Sequence, residues 1–167
     1  MKISESVLPE FDQEMANTRK VLERVPTEKF SWKPHAKSFA LGALSAHVAN
    51  MADWAELTLT TDSFDYAPAG AAPYETPTFA NTGDLIAAFD KSIAKARTAL
   101  AAADDEKMMA PWSLMAGGKV VMTMPRAAVV RTFVMNHIIH HRAQLTVYLR
   151  LNDIPVPGLY GPSADEQ

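Results

Sequence analysis

The chain has 167 residues, the usual size of one domain, with 48% hydrophobic and 21% charged residues, as in ordinary globular proteins. Its net charge is −3 and no run of lysine or arginine forms a stripe, so nothing favours a nucleic-acid partner. It contains no cysteine, which excludes disulfides, thiolate ligands and a cysteine nucleophile.

Apolar residues at helical spacing predict the first two helices. The first covers about residues 6–25 and is stopped by Pro26. The second covers about residues 41–61, with Ser38 as its N-cap. His47 falls on or beside the apolar stripe of this second helix, so its side chain is expected to point inward or lie at the edge of the stripe.

The middle of the chain is expected to alternate between connections and one further helix. Residues 62–81 are rich in proline and predict a long loop, which is often functional in a small domain. Thr82 is expected to cap a third helix that extends to about Ala103. Residues 104–124 predict a short β-hairpin around Gly117-Gly118, or an irregular crossover.

A fourth helix is predicted to begin with Pro125 in its first turn and to extend to about Leu151. Four long amphipathic helices joined by long crossovers indicate an all-α fold, a four-helix bundle. We expect one domain over residues 1–167. Because no signal-peptide core and no membrane-length apolar run is present, we also expect a cytoplasmic protein without a membrane partner.

Histidines mark the candidate site. His137 and His141 are four residues apart on the fourth helix, which places them on one face, one turn apart, on the same line as Gln144. That spacing allows two imidazoles to bind one metal ion, and His47 could supply a third ligand. Hydrogen-bonded core histidines are the alternative explanation of the same pattern. His140 lies off this line and is expected beside the ligands or at the surface.

Three neutral imidazoles leave a coordination position open for water or substrate, which is typical of catalytic rather than structural sites. Zinc or nickel is the expected ion for such nitrogen ligands, with iron, copper and manganese as alternatives. A zinc-protease helix would need glutamate after the first histidine, where the chain has Ile138. No Glu-x-x-His pair supports a di-iron carboxylate site.

Two stretches resemble a known family. One extends from Trp32-Lys33-Pro34 to His47-Val48; the other runs from Asn136 to Leu145 and continues through Tyr148-Leu149-Arg150 to the tail at 160–166. In these stretches the chain resembles the DinB-like bundle superfamily, which also contains YfiT-type thiol transferases and mycothiol-dependent maleylpyruvate isomerases. The resemblance implies a four-helix bundle whose metal ligands are His47, His137 and His141. Ala143 stands where many relatives have glycine.

The resemblance also implies an activity: metal-dependent transfer or isomerisation of a small-molecule substrate with a low-molecular-weight thiol. A metal-dependent hydrolase and a non-catalytic, metal-stabilised, stress-associated binding protein are the alternatives.

Other side chains suggest an assembly and a pocket. The fourth helix carries apolar side chains on more than one face, which predicts a homodimer; they are Phe133, Ile138, Leu145 and Leu149. The segments 62–81 and 112–122 and the Tyr160 tail are candidates to cap a pocket. Arg142 and Arg150 are expected either to hold an anionic substrate or to face solvent.

Overall fold

The computed structural model describes residues 1–166. Three long helices precede the last helix of the chain: α1 (Ile3–Leu22), α2 (Leu41–Thr60) and α3 (Thr82–Ala102). The last helix packs against α1 and α2, and α3 packs against the other sides of both. The four helices therefore form a bundle in which α1 and α2 lie diagonally opposite, and the predicted helical bundle is confirmed.

The last helix is continuous but changes its winding. A separate short helix, α4 (Asp105–Met109), precedes the hairpin. The last helix itself consists of α5 (Arg126–Ala128), a π-helical segment (Val129–Met135) and α6 (Asn136–Arg150). In the π-helical segment the hydrogen bonds skip one residue more than in an α-helix, as when the Asn136 N–H bonds to the Arg131 carbonyl. Pro125 is the residue just before the helix rather than part of its first turn.

A small sheet covers one end of the bundle, with strands in the order β1 (Ser63–Asp65), β2 (Pro111–Ala116) and β3 (Lys119–Pro125). The predicted hairpin is β2–β3, which are antiparallel and joined by Gly117 and Gly118. Both glycines have positive φ, as the tight turn requires. β1 pairs parallel with β2, so part of the predicted loop at 62–81 is a strand.

The start of α2 differs from the prediction because Ala40, not Ser38, occupies the N-cap position, and it supplies no side-chain hydrogen bond. Instead, the Leu41 N–H donates to the Trp32 carbonyl at 2.8 Å and the Gly42 N–H donates to the Phe30 carbonyl at 2.9 Å. The preceding loop thus satisfies backbone donors that a capping side chain would otherwise satisfy.

The ends of the other helices also differ in detail. α1 ends at Leu22, three residues before the predicted boundary at Val25. Pro26 disfavours helical backbone at Val25 itself. Asn81 rather than Thr82 caps α3, since its side chain accepts from the Asp84 N–H at 2.9 Å. Thr82 instead donates its hydroxyl to the Val25 carbonyl. Together these bonds join the start of α3 to the turn after α1.

The core explains the apolar faces of the last helix. Ile138, Leu145 and Leu149 are fully buried within the chain's own bundle, and Phe133 packs in a smaller cluster under the hairpin. The side chains that suggested a homodimer are therefore covered without a partner, and the homodimer stays a prediction. Among residues 1–166, no helix is long and apolar enough to cross a membrane.

Candidate metal centre

The three predicted ligands meet between α2 and α6. Ring centroids are separated by 4.7 Å for His137 and His141, 4.8 Å for His47 and His141, and 5.4 Å for His47 and His137. One ring nitrogen from each residue lies within 4.8 Å of the other two. The fold thus brings together side chains ninety residues apart in a group that could hold a metal ion.

Hydrogen bonds orient two of these rings. The Nδ1 atom of His141 lies 2.8 Å from Gln144 Oε1, and because an amide oxygen can only accept, the proton is on Nδ1. The Nε2 atom of His141 therefore keeps its lone pair and faces Nε2 of His137 at 2.9 Å. Gln144 also places its amide nitrogen 3.1 Å from Nε2 of His140. Such support of a ligand's far nitrogen is typical of metal-binding histidines.

Burial keeps the imidazoles neutral. It lowers the pKa of His47 to about 4, with further contributions from the charges of His141 and His137. Burial and the neighbouring His141 lower the pKa of His137, although the Phe133 carbonyl opposes this. Burial also lowers the pKa of His141, opposed by its bond to Gln144. Neutral imidazole is the form that binds metals, so the cluster presents ligand-ready nitrogens at neutral pH.

The donor set fits a divalent transition ion. Nitrogens at roughly 2.0–2.1 Å from a tetrahedral zinc lie about 3.3 Å from one another. The distance of 2.9 Å between the Nε2 atoms of His137 and His141 is shorter than this spacing. The upper bound of 4.8 Å between ligand nitrogens of the three histidines is longer. Small rotations of the three side chains would therefore bring the nitrogens to the required distances.

Two of the buried polar atoms at this cluster lack a well-aligned hydrogen-bond partner. Within residues 1–166, the buried side-chain polar atoms without a well-aligned hydrogen-bond partner are His137 Nδ1, which only approaches the Phe133 carbonyl, Trp54 Nε1, Asp53 Oδ1 and Asn17 Nδ2. Trp54 lies 6.2 Å from His137 between ring centroids, and Asp53 precedes it on α2. Because buried polar groups are normally paired, the unpartnered atoms of His137 and Trp54 are a feature expected of a functional region rather than of a simple core.

An aromatic cavity of about 280 Å³ opens beside His47. Its walls are mainly aromatic, and the residues lining it are His47, Trp54, Phe64, Tyr66, Tyr74, Thr76, Leu114 and Phe133. Trp54 and Phe133 stack with centroids 5.3 Å apart, and Phe64 meets Tyr74 edge to face at 5.6 Å. Phe133 also lies 5.8 Å from His137, so the cavity wall is continuous with the histidine cluster.

The segments expected to cap a pocket divide into two groups. The segment 62–81 supplies four of the cavity residues, and Leu114 comes from the hairpin. Tyr160 instead donates its hydroxyl to the Glu14 carboxylate and accepts from Arg142. The tail therefore fastens α1 to α6 rather than lining this cavity.

Two other predictions of exposed side chains have different outcomes. Arg142 is only 1% exposed and pairs with Glu14 at 2.7 Å. The prediction that Arg142 holds an anionic substrate or faces solvent is therefore wrong. Arg150 is exposed and pairs with Asp165. His140 is exposed beside the cluster, as expected. Trp54 lines the cavity but is not among the residues predicted from the sequence, because its spacing on α2 gives no sign of a cavity.

Comparison with known proteins agrees with this architecture. The solved structure of a DinB-like protein from Bacillus cereus is similar with a TM-score of 0.72 at 22% identity, over 93% of this chain and 97% of that one. A DinB-like protein from Bacillus subtilis is similar with a TM-score of 0.69 at 17% identity, over 97% of this chain and 98% of that one. These likenesses show a shared fold.

Among curated proteins no sequence matches this chain. The model of the DinB family, by contrast, matches residues 2–167, which is almost the whole chain. The chain belongs to the DinB family.

Proposed function

We propose that this protein binds a divalent transition metal through His47, His137 and His141 and catalyses thiol-dependent transfer or isomerisation of a small molecule. The observation that carries the proposal is the meeting of three neutral imidazoles at the wall of an aromatic cavity. A metal held only for stability would not need a cavity of about 280 Å³ against one of its ligands.

Each part of the site has a physical role in this proposal. The three imidazoles hold the ion, and Gln144 fixes the ring of His141 so that Nε2 is free to bind. A bound divalent ion would act as a Lewis acid and favour the thiolate form of a thiol at neutral pH. The aromatic walls would exclude water and orient the apolar part of the substrate beside His47.

A thiol must come from outside the protein, because the sequence contains no cysteine. A low-molecular-weight thiol is therefore the proposed co-substrate, in agreement with the chemistry that the sequence resemblance implies. Zinc and nickel are the proposed ions, since imidazole nitrogen suits both.

The first experiment measures the metal. Protein prepared without nickel resin is analysed for its elements and then titrated with zinc after chelation. We expect one ion per chain and a loss of binding in His47→Ala, His137→Ala and His141→Ala. His35→Ala is the matched control, because His35 is exposed in a loop outside the cluster and binding should be unchanged.

The second experiment measures the reaction. Zinc-loaded protein is incubated with glutathione, bacillithiol or mycothiol and a panel of electrophiles, and thiol consumption is followed. Consumption that requires His137 supports the proposal. Zinc binding that raises the melting temperature but gives no turnover with any thiol would instead identify a structural metal, and turnover without a thiol would identify a hydrolase.

A further inference from the structure

The sequence around the aromatic cavity is poor in basic residues. Between Lys37 and Lys91 the sequence contains no lysine or arginine but seven aspartate or glutamate residues. This stretch includes α2 and the segment 62–81, which together supply most of the cavity wall. In the part of the chain that the structure describes, neither lysine nor arginine lines the cavity.

Carboxylates lie next to the aromatic walls. A second cavity of about 270 Å³ adjoins the first, since both are lined by Trp54, Phe64 and Tyr74, and the second is also lined by Asp53 and Glu56. Asp53 Oδ1 is buried without a hydrogen-bond partner, and within residues 1–166 neither carboxylate forms an ion pair. Glu56 also lines a separate cavity with Lys95, so the buried Asp53 oxygen is the main source of negative potential beside the aromatic walls.

The aromatic rings add to this preference. The faces of tryptophan, tyrosine and phenylalanine carry negative charge density and attract cations or the polarised C–H groups of neutral molecules. An anion in the cavity would meet ring faces and carboxylates without a cationic side chain to pair with it. Removing such an anion from water would be unfavourable.

We propose that the part of the substrate bound against the aromatic walls is a small aromatic or alkyl group that is neutral or cationic. This inference rests on the proposed function, because the cavity is taken as the substrate side of the histidine cluster. The volume of about 280 Å³ lies just below the range of drug-sized pockets, so the bound group is small, of the order of one or two rings.

Three phenyl compounds of similar size test the preference: methyl phenyl sulfone, which is neutral, phenyltrimethylammonium, which is cationic, and benzenesulfonate, which is anionic. Sulfonate is a weak metal ligand, so binding to an ion should not disguise the result. Dissociation constants are measured by calorimetry on the full chain, both metal-free and zinc-loaded. We expect the neutral and cationic compounds to bind at least about ten-fold more tightly than the anion in the metal-free form. In the zinc-loaded form the charge of an ion held at His47 should reduce this discrimination.

Variants locate the effect. Tyr66→Ala, at a residue that is 42% exposed, should weaken binding of the neutral and cationic compounds, whereas Val147→Ala on the exposed face of α6 should not. Asp53→Asn combined with Glu56→Gln should reduce the discrimination against benzenesulfonate several-fold. The double control Glu28→Gln and Glu106→Gln removes two exposed charges outside the cavities and should leave the discrimination unchanged.

The inference is overturned if benzenesulfonate binds the metal-free protein as tightly as the other two compounds do, or if none of the three binds. These outcomes are separate from the thiol-transfer assay. A protein that prefers neutral and cationic ligands but consumes no thiol would keep this inference and refute the proposed reaction.

Discussion

His141 and Gln144 are joined by a hydrogen bond of 2.8 Å, and this contact determines which nitrogen of His141 is free to bind a metal. Gln144→Ala should weaken zinc affinity by about 10–100-fold, the range measured for partners of metal-binding histidines. Gln144→Glu keeps an acceptor and should retain most of the affinity. Gln13→Ala, at an exposed position on α1, is the control, and calorimetric zinc titration is the measurement. Equal affinity in Gln144→Ala would mean that this bond does not orient the ligand.

The lowered pKa values of the three histidines should determine how metal affinity varies with pH. Because the pKa of His47 is about 4 and those of His137 and His141 are lowered, protons compete for the nitrogens only in acid. We expect metal affinity to change little from pH 8 to 7. It should decline once the pH is below the ordinary histidine pKa of 6.5 and fall steeply toward pH 4. Competition titrations at several pH values measure this. Affinity that is flat down to pH 4 would contradict histidine ligation.

The metal-free protein should lose stability over the same acid range. The unfolded chain takes up a proton at His47 near the ordinary value of 6.5, whereas the folded chain does so only near pH 4. The unfolded state therefore binds more protons between these values, and the free energy of unfolding falls as pH falls through this window. Urea unfolding at pH 7, 6, 5 and 4 should show a smaller decrease in His47→Gln than in the native chain. If the free energy of unfolding fell equally with pH in both proteins, His47 would not contribute to the acid sensitivity.

Arg142 and Glu14 form a buried ion pair that Tyr160 completes from the tail. Arg142→Met should cost about 3–5 kcal/mol of unfolding free energy, because it leaves the Glu14 carboxylate buried without its partner. Arg97→Met breaks an exposed pair with Asp12 and should cost at most about 1 kcal/mol. Combining Arg142→Met with Glu14→Met should restore part of the loss. Additive losses in this double variant would indicate that packing, not charge, is responsible.

Gly42 lies where the loop before α2 packs closest to the helix. A Cβ atom at this position would approach Phe30 Cγ to 2.7 Å, which is closer than carbon atoms tolerate. Gly42→Ala should therefore destabilise the protein by about 1–3 kcal/mol, measured by urea unfolding. Gly161→Ala is the matched control, because a Cβ there meets no atom within 4 Å. Equal stability of the two variants would show that the loop can move away without cost.

The helices and the histidine line could be predicted from the sequence because both depend on local spacing. His137 and His141 are four residues apart within α6, and an α-helix places such residues on one face whatever surrounds it. The β2–β3 hairpin was predictable for a similar reason, since Gly117 and Gly118 mark the turn locally.

Features that depend on distant partners could not be predicted. β1 has three residues and pairs with β2 about fifty residues later, so no local pattern identifies it. Arg142 looked exposed because its partner Glu14 is 128 residues away in the chain. The start of α2 is capped by backbone carbonyls of the preceding loop, which leave no trace in residue type. The aromatic cavity likewise combines α2, β1, β2 and the π-helical segment.

The hydrogen bonds of Asp65 hold the outer wall of the cavity independently of the helices that carry the histidines. Its carboxylate accepts from the N–H groups of Ala67, Gly117 and Gly118, and so clamps the segment after β1 to the hairpin turn. The histidines, by contrast, are carried by the helices of the bundle. The outer wall of the cavity can therefore be rebuilt, by exchanging side chains such as Tyr66 within a clamped frame, while the ligand helices stay intact. A laboratory library aimed at a new substrate should therefore randomise the side chains of this outer wall before any residue of the bundle.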